Sequence, residues 1–330
     1  MHKWLLVCLL IAEAGCTSPI ESTRPVPTGV AAGQVLAHEP ISPIPVAVDL
    51  DAAKVALGSS LFEDPRLSHD NSVACSTCHH LDTGGVDRLR FSIGIYGQIG
   101  GRNAPTVFNS GFNFRQFWDG RAATLEDQID GPTANPLEMG SNWPEITRKL
   151  NASADYSTTF ARLYGGPATA LSVKDAVATF ERSLSTPNSR FDKFLRGDTT
   201  ALTAVEVEGY DNFKSFGCVS CHQGTNVGGN MYQRLGVVEA PPPTSQLMDD
   251  IGRFGVTGDV LDRHVYKVPS LRNVAVTAPY FHDGSVSTLE GAVTLMGRYQ
   301  LGRQLTSAEI ERLVAFLKTL TGEYAGTVLK

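Results

Sequence analysis

The sequence predicts an all-α protein: two tandem helical domains joined by long loops and related by internal duplication. Three observations predict it. The pentapeptide C-x-x-C-H occurs twice, as Cys75-Ser76-Thr77-Cys78-His79 and Cys218-Val219-Ser220-Cys221-His222. Three other segments recur at one fixed interval. Pro105-Thr106-Val107-Phe108-Asn109 matches Pro269-Ser270-Leu271-Arg272-Asn273, Phe117-Trp118-Asp119-Gly120 matches Phe281-His282-Asp283-Gly284, and Thr124-Leu125-Glu126 matches Thr288-Leu289-Glu290, each pair 164 residues apart. Finally, helical apolar spacing is common while strand-like alternation is sparse.

In chain order, residues 1–16 read as an export signal, with Trp4 to Ala12 as an apolar run too short to span a membrane. Ala12-Glu13-Ala14 offers an ordinary cleavage site. Ala14-Gly15-Cys16 resembles a bacterial lipobox, which would make Cys16 a lipid anchor; both readings export the chain to the periplasm. Residues 17–46 are rich in Pro, Ser, Thr and Gly and read as a flexible tether, with an ordered arm across the protein as the alternative. A first domain is expected over 47–186 and a second over 187–330, with the boundary near Thr186-Pro187. Helices are expected from Asp51 to Phe62, after a cap at Ser172, from Leu202 to Phe216, and after the capping box Thr306-Ser307-Ala308-Glu309. The haem-type motifs recur at a shorter interval than the other blocks, so the second copy carries an insertion, expected around Pro241-Pro242-Pro243.

The chemistry of the pentapeptide is specific. Two thiols add across the vinyl groups of haem, and the adjacent His reaches the iron. A single copy would leave open a thioredoxin-like pair or a zinc pair beside a chance His; two copies point to two covalently bound haem c groups. They make the domains cytochrome c-like, with Cys75, Cys78, His79, Cys218, Cys221 and His222 holding the cofactors. Of six cysteines four lie in the motifs, and Cys8 and Cys16 lie in the leader, so none is left for a disulfide or a catalytic thiolate. With 330 residues, 42% hydrophobic and 19% charged, the composition suits a soluble two-domain protein. A net charge of −6 does not suggest a nucleic-acid partner.

The duplication also compares the two irons. Met296 lies eight residues after Thr288, and the matching position in the first half is Pro132. A methionine there can ligate the second iron opposite His222, whereas proline has no ligating side chain. Core packing is the ordinary alternative for a methionine.

These stretches resemble bacterial dihaem cytochrome c peroxidases and the related MauG-like proteins, across nearly the whole chain from Leu57-Gly58 onward. The resemblance is strongest in Arg102-Asn103-Ala104-Pro105-Thr106, Gln116-Phe117-Trp118-Asp119-Gly120-Arg121 and Thr277-Ala278-Pro279-Tyr280-Phe281-His282-Asp283-Gly284. It implies that the first haem is the peroxidatic centre. It further implies that Glu138 is the catalytic acid/base, Gln128 a distal hydrogen-bonding amide, and Trp118 an electron relay between the haems. Asn103 and the carbonyls of Thr277 and Pro279 match an interdomain calcium site, a donor set that suits Ca²⁺. Many members carry a gating His where this chain has Ile95, so the gate is expected to be absent, with Tyr96, His69 and His80 as the nearby alternatives.

The activity implied is reduction of hydrogen peroxide, with electrons from a small c-type cytochrome or cupredoxin entering through the second haem. The alternative is a MauG-like oxidase that uses peroxide-derived high-valent haem on a protein or organic substrate. A dihaem electron carrier without catalysis comes third. A homodimer is compatible with the resemblance.

Overall fold

The computed structural model describes residues 39–243 and 245–330; the leader, Cys16 and most of the expected tether lie outside them. The first half contains α1 (Ala52–Phe62), α2 (Cys75–Cys78), α3 (Leu125–Ala134), α4 (Trp143–Asn151), α5 (Ala154–Tyr164) and α6 (Ala170–Ser183). The second contains α7 (Arg190–Leu195), α8 (Ala204–Ser215), α9 (Phe254–Thr257), α10 (Leu289–Leu301) and α11 (Ser307–Lys318). Four short strands accompany them: β1 (Tyr232–Arg234), β2 (Val265–Lys267), β3 (Glu323–Tyr324) and β4 (Thr327–Val328). The fold is thus mostly helical rather than strictly all-α. β1 pairs with β2 and β3 with β4, both antiparallel.

Each half has its own apolar core built on one pair of helices. In the first, Leu57, Leu61 and Phe62 of α1 pack on Val173, Val177 and Phe180 of α6, with Phe62 and Phe180 edge to face at 5.3 Å. In the second, Tyr210 and Phe213 of α8 pack on Phe316 of α11. Both crossings depend on a glycine. A Cβ on Gly58 would strike the carbonyl oxygen of Ala176, and one on Gly209 that of Arg312. The capping box at Thr306 forms, with the Thr306 N–H donating to Glu309 Oε2 at 2.8 Å. The cap expected at Ser172 moves back: Thr169 caps α6, and Ser172 is its capping-box partner inside the helix.

The sequence repeat is also a backbone repeat. Asn109 and Asn273 are both left-handed, at φ 61° and 62°, and so are Phe117 and Phe281, at 68° and 69°. This conformation costs a non-glycine residue on the order of 1 kcal/mol, and both halves adopt it at the same place. The bridge Gln116–Ala122 recurs as Tyr280–Val286. The insertion after the second motif is larger than the proline loop. It lies within the segment from β1 to β2, which also holds α9; Leu235, Leu247 and Tyr266 of that segment cluster with Tyr299 of α10, and Trp118 and Met296 pack against them.

The stretch expected as a tether is not free throughout. Residues 39–46 lie on the second core, where Ile41 and Ile44 are buried. Gly224 N–H donates to Pro40 O at 2.9 Å, and Arg272 donates to Ser42 O at 2.9 Å. For these residues the ordered arm holds, because Ile41 packs into the second core, Ile44 is buried, and the arm's carbonyls find donors. Arg272 also donates to Thr225 O at 2.9 Å and pairs with Asp192 at 2.8 Å, with 1% and 0% of the two side chains exposed. It therefore ties the arm, the loop after the second motif and α7 together.

Arg272→Met would leave Asp192 buried without its cation. Breaking one side of a buried pair costs about 3–5 kcal/mol. Urea unfolding of the variant should show a loss of that size, and an unchanged midpoint would mean that the pair contributes no net stability.

Candidate active site

The two motifs adopt the same local geometry. Each His closes one backbone turn, His79 N–H onto Cys75 O at 3.1 Å and His222 N–H onto Cys218 O at 3.0 Å. Each Nδ1 lies 3.3 Å from a carbonyl, Gly85 O for His79 and Val227 O for His222. A carbonyl only accepts, so Nδ1 carries the proton and Nε2 is left as the free ligating nitrogen. Burial lowers the pKa of both imidazoles, that of His222 to about 4, so both are neutral at pH 7, the form that binds iron. All four motif cysteines are free of disulfides. Burial raises Cys75 to about 12 and Cys78 and Cys218 to about 11. The residues fit haem c at both motifs: paired free thiols beside a neutral imidazole with one open nitrogen.

A cavity of about 390 Å³ adjoins the second motif. His222, Cys218 and Cys221 line it, and α10 contributes Leu289, Ala292 and Met296. The structure therefore puts His222 and Met296 on the walls of one cavity. The matching helix α3 presents Leu125, Gln128 and Pro132 at the same positions from its cap. Thr124 accepts from Asp127 N–H as Thr288 does from Gly291 N–H, both at 3.1 Å. Thus Gln128 stands where the second half has Ala292, and Pro132 where it has Met296.

Glu138 sits in a turn that its neighbours build. Asn135 Oδ1 accepts from Leu137 N–H at 3.0 Å, while Asn135 Nδ2 donates to Glu138 Oε1 at 2.6 Å. Burial raises the Glu138 pKa, opposed by the Asn135 bond and the charge of Arg121. The Cys78 thiol is raised first by burial, with the charges of Asp87 and Glu138 adding to it. Asn135 and Arg121 were not singled out from the sequence. The Asn135-Pro136 turn signal was the available clue to the first, and Arg121 ended one of the stretches that carry the family resemblance.

The loop after the first motif docks on this turn. Ile95 N–H donates to Glu138 O at 2.8 Å, and the Ile95 side chain is buried at 3% exposure. The alternatives for a missing gate are elsewhere. Tyr96 is 69% exposed. His69 is held by Glu145 at 2.9 Å on the surface, and His80 is exposed.

Trp118 stands at the contact of the halves. Its indole N–H donates to Asn103 O at 2.9 Å, and Asn103 N–H donates to His282 O at 2.9 Å. His282 is the residue matched to Trp118 by the repeat, and the two rings meet edge to face at 6.3 Å. Asn103, Thr277 and Pro279 line the same cavity as Trp118. Asn103 Nδ2 donates to Leu89 O at 2.9 Å, which leaves Oδ1 as the acceptor end. Among the described residues no group of three or more His, Cys, Asp or Glu side chains is arranged to hold a metal ion. Asn103 Oδ1 and the carbonyls of Thr277 and Pro279 are neutral oxygens, a donor type that calcium accepts.

Known proteins share these features. A family model described as di-haem cytochrome c peroxidase matches residues 52–200. The chain is 50% identical to cytochrome c peroxidase Ccp of Escherichia coli over 87% of its own length, and it spans 62% of that longer protein. It is 48% identical to cytochrome c551 peroxidase of Nitrosomonas europaea, over 88% of this chain and 87% of the other. The methylamine utilization protein MauG of Methylorubrum extorquens is 33% identical, over 87% of this chain and 83% of that one. Among solved structures, a MauG-like protein associated with microbial copper homeostasis superposes with a TM-score of 0.73 at 31% identity, covering 87% of this chain and 95% of that one.

The Asn135 bond stabilises the ionised form of Glu138 against burial. Asn135→Ala should therefore raise the Glu138 pKa further. Infrared titration of the carboxyl band, assigned by its loss in Glu138→Gln, should show the rise, and a fall would contradict the turn geometry.

Proposed function

The chain belongs to the di-haem cytochrome c peroxidase family, and on that premise we propose that it reduces hydrogen peroxide to water at the first motif, with electrons entering through the second. The observation that carries this reading is Glu138: a half-buried carboxyl of raised pKa, steadied by Asn135, in the turn on which the loop after the first motif docks. Haem c, held at both motifs by Cys75, Cys78 and His79 and by Cys218, Cys221 and His222, supplies the iron at which peroxide is reduced and the couple that feeds it.

The residues divide the remaining work. Cleavage of the O–O bond needs a proton moved from one peroxide oxygen to the other. A carboxyl with a pKa drawn toward neutrality suits both the uptake and the release. Gln128 provides an amide donor for the charge that develops on the leaving oxygen. Trp118, hydrogen-bonded to Asn103 and edge-on to His282, serves as the relay between the halves. Met296, on the wall of the cavity that His222 also lines, would hold the second haem through its thioether and would raise the potential there, because thioether ligation favours the ferrous state. Neither Pro132 nor Ile95 has a side chain that could ligate iron, so a haem held by His79 would take no ligand from these two positions.

The repeated backbone supports an origin by tandem duplication, with the boundary at Thr186-Pro187. The MauG-like oxidase reading is the weaker one, since the peroxidase relatives are nearer in sequence. Calcium is assigned to Asn103, Thr277 O and Pro279 O. The electron donor is a small c-type cytochrome or cupredoxin. A periplasmic location, with or without lipid at Cys16, rests on the leader and on covalent haem.

Glu138→Gln should leave both haem spectra in place and lower the steady-state peroxidase rate by at least ~10²-fold. Wild-type turnover would remove Glu138 from the mechanism. The open first iron predicts that the fully ferric protein reacts with one equivalent of peroxide without prior reduction. Stopped-flow spectra of the oxidised protein test this, with electron paramagnetic resonance of the same sample recorded first. A purely low-spin resting spectrum, with no reaction until the second haem is reduced, would show that another residue caps the iron.

A further inference from the structure

Among the described residues two cations are buried, Arg272 and Lys267. Arg272 has Asp192 as its partner. Lys267 is 7% exposed, yet no carboxylate among the described residues pairs with it. Burial alone lowers its pKa, to about 8, with no neighbouring charge offsetting it. An ammonium taken out of water without a counter-ion costs several kcal/mol. Proteins keep such a group when something else supplies the anion.

The side chain lines the cavity walled by His222, Cys218 and Met296. Whatever fills that cavity meets the ammonium. The backbone locks it there from two sides. Lys267 N–H donates to Trp118 O at 2.7 Å, and Lys267 is the ladder partner of Tyr232 in the β1–β2 pair. By the 164-residue repeat Lys267 matches Asn103, so the first half has no matching lysine. We propose that Lys267 is a cofactor-binding residue, whose ammonium pairs with a propionate of the second haem beside Trp118.

The inference rests on haem filling the second cavity. Its consequence is electrostatic and local. A propionate left unpaired in an apolar cavity favours the ferric state; an ammonium beside it offsets that charge and raises the potential. The cation would thus act with Met296 to hold the second haem at high potential, while leaving the first untouched.

The test is spectroelectrochemical titration of the holoprotein, with the two haems followed separately by their absorption bands. Lys267→Met should lower the midpoint of the second haem and leave that of the first in place, with both haems still covalently bound. Lys267→Arg, which keeps the charge, should hold the wild-type value. Lys267→Gln should reproduce the fall, so that poor folding of the methionine variant alone does not end the test. Unchanged midpoints in a neutral variant with two haems would overturn the proposal and leave the two-haem reading intact. A shift confined to the first haem would overturn the assignment to the second. Wild-type protein lacking haem at the second motif would instead overturn the reading on which the proposal rests.

Discussion

The two halves are held in register by one threonine. Thr186 Oγ1 accepts from Asn109 Nδ2 at 2.7 Å and from Asn273 Nδ2 at 3.0 Å, and Thr186 N–H donates to Asn109 Oδ1 at 2.9 Å. The asparagines are matched residues of the repeat, both left-handed, and both at 2% exposure or less. Gly322 N–H completes the network by donating to Asn273 Oδ1 at 3.0 Å. Each of these polar groups is buried at the junction, where a lost partner costs about 1–3 kcal/mol. A fully satisfied buried network admits few alternative arrangements.

One scaffold is thus used twice for different chemistry. The backbone repeats closely, down to the left-handed phenylalanines and the glycine-dependent helix crossings. The side chains at matched positions do not repeat. Gln128 corresponds to Ala292, Pro132 to Met296, and Trp118 to His282. The first half loses a candidate iron ligand and gains an amide; the second does the reverse. Lys267 adds a further asymmetry, because its matched residue in the first half is Asn103.

Three buried ionisable groups illustrate how such a fold accommodates charge. Arg272 keeps its charge by pairing with Asp192. Glu181, 6% exposed on α6 with Oε2 unpartnered, is pushed to about 8 by burial and stays protonated at neutral pH. Lys267 has neither a carboxylate partner nor a shift large enough to discharge it fully. That contrast is what directs attention to the group that occupies its cavity.

Much of this was legible in the chain. The two C-x-x-C-H motifs carry their chemistry in consecutive residues, so no tertiary information is needed to read them. The 164-residue repeat needs only comparison of the chain with itself, and it singled out Met296 and Pro132 before any coordinates. Helices with caps and apolar stripes were readable because their signals are local, although the cap of α6 moved from Ser172 to Thr169, three residues apart and both able to cap. The sequence could not tell a tether from an arm at residues 39–46, since Ile41 and Ile44 are buried only by a core formed from distant residues. Nor could it single out Asn135, Arg121 or Lys267, whose significance lies in what they meet across the fold. Covalent cofactor chemistry and duplication are properties of the string of residues. Burial, pKa and the pairing of charges are properties of distances between residues far apart in the chain, and only the tertiary structure sets those.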